Sequence, residues 1–516
     1  MLGARSLSIY ELENIDAFVI VRRHACLISA RRLADCFARP VLLLTYRREE
    51  FMPDSQLFPG RPAAPLSRRD VLRRAGAGGL SLAALPTLQA AGAPPSDTSS
   101  SFGRAKSVIM FFLLGGPSQH DTWDPKPDAP AEVRGEFKPI ATATPGLMVG
   151  ELMPQTARLT NRIAVIRSMV TSDNSHSSSG YQMLTGVQHV PLGVENATKK
   201  APNFAPCSAA IVKALRGDGG ALPASIVLPD HIWNDGNISW PGQDAGFLGL
   251  KHDPWLIPCD PSEASFQVQA LRLPGDLTRP RFDERRTLLD SLNRHAGPRV
   301  ETSGSAPYDL HARQAVGMLA SSQSRGAFDI QSESAATRDR YGRTRFGQST
   351  LLARRLVEAG VSLVQVNWTR VKGITSSGWD THGNHHQQAR GTLMPMMDQT
   401  YSALLEDLEQ RGLLDETLVV WAGEFGRSPR INGNAGRDHW GRCFSLALAG
   451  AGICGGTVFG ASNAHGAEPA RDAVTPADLW ATVYHCLGYA PDTLLHDQQG
   501  RPLPISRGEI IRDVLA

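Results

Sequence analysis

The chain has 516 residues, 41% hydrophobic and 20% charged, and its 53 basic and 50 acidic side chains leave a net charge of +3. That composition is ordinary for a folded globular chain. It leaves no global basic field for nucleic acid, and no run of eighteen apolar residues predicts a membrane span. Seven cysteines are present, none in CxxC spacing, and the five beyond residue 200 are read as buried small hydrophobes.

The N-terminal region carries Ser67-Arg68-Arg69-Asp70-Val71-Leu72-Arg73, followed by the weakly apolar Ala75–Leu88 and small residues at Ala90–Ala93. Basic residues, a short apolar stretch and a small-residue cleavage region are the parts of an export signal, here of the twin-arginine type. Residues 67–93 therefore predict the twin-arginine translocase as a partner and a periplasmic or extracellular location. Met52 opens a normal signal n-region, which makes it the expected start and residues 1–51 translated upstream sequence; a long leader removed with the signal is the other reading. Either way, residues 1–66 lie outside the expected mature protein.

After a Pro/Ser-rich linker ending near residue 104, strands and helices alternate. Ser107–Leu114 is a continuous apolar run closed by Gly115-Gly116-Pro117 and predicts a buried strand. Met153–Leu159 is helical in pattern, Ile163–Ser168 is a strand, and Ser178–Leu184 opens another helix. Pro223–Pro258 has no periodicity and holds Trp233, Trp240 and Trp255; it is read as part of an insertion over about 223–300, either a wall over a substrate or a surface loop pinned by its tryptophans. Gly347–Ala359 is an amphipathic helix closed by Gly360, and Val361–Asn367 a strand. Pro395–Arg411 is a helix, Thr417–Ala422 and Phe444–Ala449 are strands, and Thr475 caps a helix over Pro476–Cys486. This order predicts one α/β sandwich from about residue 105 to 516, with a mostly parallel central sheet and helices on both faces. Sites in such sheets lie beyond the carboxyl ends of the strands.

The polar clusters fall there. Asp380, His382, His385 and His386 lie within WDTHGNHH; Asp438 and His439 lie within GRDHWG; His120 and Asp121 follow the first strand; Glu424 follows the Thr417–Ala422 strand; His176 precedes a helix. Carboxylates and imidazoles are ligands for divalent ions. None has the fixed spacing of a zinc finger or an HExxH site, and no Walker, GxGxxG or GxSxG pattern occurs in the expected mature region. Arg427, Arg430 and Arg437 neighbour these residues in the sequence, and arginines beside a metal suit a phosphate or sulfate group.

The segments SVIMFFLLGGPSQHDTWDPKP, SHSSSGYQMLTG, WDTHGNH, VVWAGEFGRSP, GRDHWG and TPADLWATVYHCLGY resemble a bacterial domain-of-unknown-function family, number 1501. That family is commonly exported by the twin-arginine route and is grouped with the alkaline phosphatase and sulfatase superfamily. The resemblance implies an alkaline-phosphatase-like sandwich, a divalent metal (Zn, Ca, Mg or Mn) at the strand ends, and hydrolysis of a phosphate or sulfate ester. It implies Asp380 with His382 (or His386), Glu424 and His439 as metal ligands, with His120 and Asp121 completing a site and Arg427 as an anion clamp. Two positions depart from the pattern. Gly115-Gly116 stand where a metal-binding Asp is usual. His176 stands where the nucleophile is usual, so it is a nucleophile or a ligand, with Ser175 or Ser177 as alternatives one residue away. The departures motivate a second reading, a non-catalytic exported binding protein on a degenerate phosphatase scaffold, and a third, a subunit of a complex.

Overall fold

The first strand shows why the chain forms two layers of helix around one sheet. Ser107–Phe112 (β1) is buried along its whole length. Its side chains alternate: Ile109 and Phe111 join one hydrophobic core, and Val108, Met110 and Phe112 join the other. A strand that buries both faces needs no polar alternation, which is why its sequence is a continuous apolar run.

The computed structural model describes residues 100–217, 222–234, 238–273, 275, 277–295, 315–369 and 378–516. The expected export signal, residues 1–66 with Met52, and most of the linker lie outside the described residues. The described residues belong to one unit, Gly92–Ala516.

The central sheet adds Ile163–Met169 (β2), Ser225–Leu228 (β3), Trp255–Leu256 (β4), Leu363–Asn367 (β5), Thr417–Ala422 (β6), Phe444–Gly450 (β7) and Val458–Phe459 (β8). Its order is β8-β2-β7-β6-β1-β5-β3-β4. β1 pairs in parallel with β6 and β5, and β5 with β3, β3 with β4 and β2 with β8 likewise. β7 alone runs against its neighbours β6 and β2. The sheet is thus mostly parallel. Because β7 is reversed, the residues just before it sit beside the carboxyl ends of β6 and β2.

Helices His176–Thr185 (α1), Ser208–Arg216 (α2) and Pro476–Cys486 (α5) supply the core on one face. Arg345–Glu358 (α3) and Met394–Gln410 (α4) supply the other. Local chemistry sets their ends. Thr344 accepts from Gly347 N at the start of α3, and Thr475 with Asp478 makes a reciprocal cap at the start of α5. The segment Met153–Leu159 shortens to a single turn, Pro154–Ala157.

The stretch read as an insertion is not wholly outside the sheet. Ser225–Leu228 and Trp255–Leu256 extend its edge, with Ile226 opposite both Val364 and Trp255. SIVL is a four-residue strand, too short to show a period. Between these strands, Trp233–Asn234 and Ile238–Ser239 form a small hairpin near the carboxyl ends. The five described cysteines are unpaired; Cys207, Cys443 and Cys486 are buried, whereas Cys454 is exposed.

Candidate metal centre

Four loops at the carboxyl edge of the sheet bring the polar side chains together. Asp380 and His382 come from the segment after β5. Glu424 and Arg427 follow β6. Asp438 and His439 precede β7. His176 opens α1, where Ser175 is the extended residue before the first turn.

The glycine pair after β1 is what lets these loops meet. Gly115 and Gly116 have φ of +105° and +76°, a conformation open to glycine. A Cβ on Gly115 would lie 2.2 Å from the backbone N of Asp380. The chain therefore has a packing reason for glycine where an aspartate was expected: the WDTH segment occupies the space. The amide of Gly115 instead donates to Glu424 Oε1 at 2.7 Å.

Asp380 is the hub. His439 Nε2 and His382 Nε2 are each 3.0 Å from Asp380 Oδ1, and His176 Nε2 is 3.3 Å from Oδ2. His382 Nε2 and His439 Nε2 are 2.8 Å apart. One ligand atom from each of His176, Asp380 and His439 lies within 4.8 Å of the others. The remaining ring nitrogens face acceptors. His176 Nδ1 donates to Glu424 Oε1 at 2.7 Å, His382 Nδ1 to Asp438 Oδ1 at 3.0 Å, and His439 Nδ1 to the carbonyl of Asn174 at 2.7 Å. A nitrogen that donates from Nδ1 in a neutral imidazole carries its lone pair on Nε2. Three lone pairs therefore converge on one carboxylate.

Without a cation, protons must satisfy that cluster. Burial opposes a charge on His176, but its bonds to Asp380 and Glu424 outweigh burial and raise its pKa to about 9. The bond to Asp380 also raises His382, while burial keeps His439 low. Burial works against the Asp380 carboxylate, yet the three imidazoles and Arg427 hold its pKa far below the ordinary range. His176, Asp380 and His439, each ring oriented by an outer acceptor, could together hold a divalent ion, with His382 bonded to Asp380 and His439 beside that group. Glu424 adds a fully buried carboxylate whose Oε2 has no hydrogen-bond partner among the described residues. The residues fit the ion that the sequence implied.

Arg427 is not offered to a ligand. It is fully buried; Nη2 binds Asp380 Oδ1 and the carbonyl of Trp379 at 2.9 Å, Nη1 binds Arg437 O at 3.1 Å, and Nε binds Gly116 O at 3.2 Å. It neutralises Asp380 from behind and ties three loops, so the expected anion clamp is corrected to a structural cation. His120 and Asp121 are likewise placed elsewhere. His120 Nε2 bonds His465 O at 2.7 Å, and Asp121 Oδ2 pairs with His385 Nε2 at 2.8 Å and Arg437 Nε at 3.2 Å. The turn at Gly115-Gly116 carries both into the Gln119–Asp121 single turn, which is buried behind the centre. His386 packs edge-on against Phe137, with ring centroids 5.0 Å apart.

Two hydroxyls in the first turn of α1 are spent on structure. Ser177 Oγ bonds the carbonyls of Val194 and Glu195 and receives Ala197 N at 2.8 Å. Ser179 Oγ donates to Glu424 O at 2.6 Å. Sequence reasoning missed Asn174 and Glu195 as partners of the centre, and singled out Asp438 without giving it a role. Asp438 sat in plain view in RDH; Glu195 Oε2 receives the amide of His176 at 2.8 Å and has no sequence signal. The centre opens into a cavity of about 320 Å³ lined by His176, Asp380, His439, Glu195, Trp233 and Trp240. Two of the three tryptophans of the aperiodic segment thus wall the site; Trp255 lies on β4 against Phe328.

An α/β sandwich with a histidine–carboxylate centre at its strand ends is the class of protein that fold and site define. The chain belongs to the family described as "Protein of unknown function (DUF1501)", whose pattern matches residues 105–515. No curated protein matches it. Among solved structures it is similar to a sulfatase from Pseudoalteromonas sp. (15% identity, 80% of this chain and 72% of that one, TM-score 0.36). It is also similar to a phosphonate monoester hydrolase from Silicibacter pomeroyi (11%, 79% and 76%, TM-score 0.35) and to a lipoteichoic acid synthase from Listeria monocytogenes (8%, 79% and 76%, TM-score 0.33). At those scores the chemistry has to come from the residues.

Proposed function

We propose that this chain is an exported, metal-dependent hydrolase of phosphate or sulfate esters, working in the periplasm or outside the cell after passage through the twin-arginine translocase. The observation that carries the reading is the convergence of His176, His382 and His439 Nε2 on Asp380, each ring held by an acceptor at Nδ1. His176, Asp380 and His439 would hold the ion, with His382 beside them against Asp380 and His439. Imidazole nitrogens with a carboxylate suit Zn better than Ca, Mg or Mn, which favour oxygen ligands. A bound ion supplies Lewis acidity toward an anionic ester and toward water.

The rest is done by the chain. Glu424, Asp438 and the Asn174 carbonyl fix the rings. Arg427 offsets the Asp380 charge. Trp233 and Trp240 narrow the cavity around the ester. With the α1 serines engaged and His176 read as a ligand, water is the attacking group: its oxygen bonds to phosphorus or sulfur, the ester oxygen leaves, and a water proton ends on the departing alcohol.

The test is elemental analysis of the purified protein, with turnover of 4-nitrophenyl phosphate and 4-nitrophenyl sulfate and the Asp380→Asn variant as control. Bound stoichiometric metal with turnover lost in the variant is the expected result. Absence of Zn, Mn, Ca and Mg sinks the metal reading. Metal without turnover of any ester favours the non-catalytic binding protein, for which His176 standing at the usual nucleophile position is the supporting observation.

A further inference from the structure

Behind the centre lies a second polar cluster that the proposed chemistry does not use. Asp121 and Arg437 are buried at 2% and 0% exposure, and His385 and Thr381 are buried with them. Thr381 Oγ1 bonds His385 Nδ1 at 2.6 Å, His385 Nε2 bonds Asp121 Oδ2 at 2.8 Å, and Ser118 Oγ donates to the same oxygen. The Arg437 guanidinium pairs with that oxygen at 3.2 Å and reaches Val133 O at 2.9 Å and Ser428 O at 3.2 Å. The Arg437 amide donates to the carbonyl of Thr381 at 3.1 Å.

The sequence positions give this cluster its meaning. Thr381 stands between Asp380 and His382. Arg437 stands two residues before His439 and next to Asp438. A single buried carboxylate thus holds both ligand-bearing segments and the turn after β1. Burying an ionised pair is costly, and one use of such a pair is to fix a single geometry rather than to add stability. Outer hydrogen bonds that orient metal ligands typically alter affinity ten- to a hundredfold when removed.

We infer that Asp121, His385, Thr381 and Arg437 form a positioning relay that sets the spacing of Asp380, His382 and His439. The inference rests on the metal reading of that centre. Asp121 is therefore a positioning residue rather than a ligand.

Thr381 offers the cleanest handle, because its hydroxyl can be removed without touching a charge. Chelator-treated wild type, Thr381→Val and Thr381→Ser are titrated with Co(II) alone, following the visible d–d bands and the affinity. Thr381→Val is expected to bind Co(II) about ten- to a hundredfold more weakly with a shifted spectrum, and Thr381→Ser to restore both to within about threefold of wild type. Asp121→Asn is expected to act in the same direction; if it does not fold, the threonine pair decides. A Thr381→Val protein with wild-type affinity and spectrum overturns the relay and leaves the metal reading intact. A wild type that binds no Co(II) overturns the metal reading and the relay together.

Discussion

Replacing Asp380 by asparagine separates the two jobs of its carboxylate. The amide keeps the shape and one acceptor oxygen but loses the charge. Arg427 then lies fully buried with three loop carbonyls for company and no bonded carboxylate. Breaking a buried ion pair from one side costs about 3–5 kcal/mol. For a folded unit of about 400 residues, an unfolding entropy near 0.9 kcal/mol/K converts that loss to a fall of about 3–6 °C in the metal-free melting temperature. The second job is metal binding. Ion at about 100 times its Kd stabilises a one-site protein by about 2.7 kcal/mol, or about 3 °C here. Scanning calorimetry of both proteins, in chelator and in excess Zn or Mn, reads the two effects independently. The variant should melt lower in chelator and show no rise with metal. A variant that melts with wild type in chelator and rises equally with metal would refute both the Arg427 pairing and the ligand assignment.

Three further perturbations test neighbouring steps. A Cβ at Gly436 would lie 2.0 Å from the carbonyl of His382, so Gly436→Ala should push that ligand loop away; its metal affinity, read by competition with a chelating dye, should drop about tenfold or more, by analogy with outer-shell losses. Ser177→Ala leaves the Ala197 amide without its acceptor and should cost about 1–3 kcal/mol of stability while metal content and turnover stay at wild-type levels; lost turnover would instead make Ser177 the nucleophile. Burial alone would raise the pKa of Asp121, but Arg437 and His385 outweigh it and hold it far below its ordinary 3.8. A depressed pKa contributes stability that is full above the unfolded carboxyl range and is lost as pH falls through and below it. Asp121→Asn should therefore flatten the acid limb of the stability curve between about pH 5 and pH 2; an unchanged limb, by denaturant midpoint against pH, would count against the ion pair.

Much of the fold was written in short-range pattern. The apolar runs at Ser107–Phe112 and Thr417–Ala422 could be read as strands because both faces are buried, and helices α3, α4 and α5 announced themselves by period and caps. The residue types of the centre were equally legible: Asp380, His382, Glu424 and His439 stood at predicted strand ends, and His176 before a predicted helix. What pattern could not show was which of the clusters share a point in space. That depends on strand order and on the reversal of β7, which brings residue 439 beside residues 176 and 380 from far along the chain. Sequence placed His120 and Asp121 with the ligands because they follow β1; the turn at two left-handed glycines, not the spacing, sends them behind the centre. It made Arg427 an anion clamp because arginine near ligands suits anions; only packing shows every nitrogen of its guanidinium already bonded. The sequence by itself determined most of the elements and the set of donor residues, since those rest on local periodicity and composition. Tertiary structure alone decided which donors meet, which face a cavity and which are buried as counter-charges, since convergence is a property of long-range contacts that no local pattern encodes.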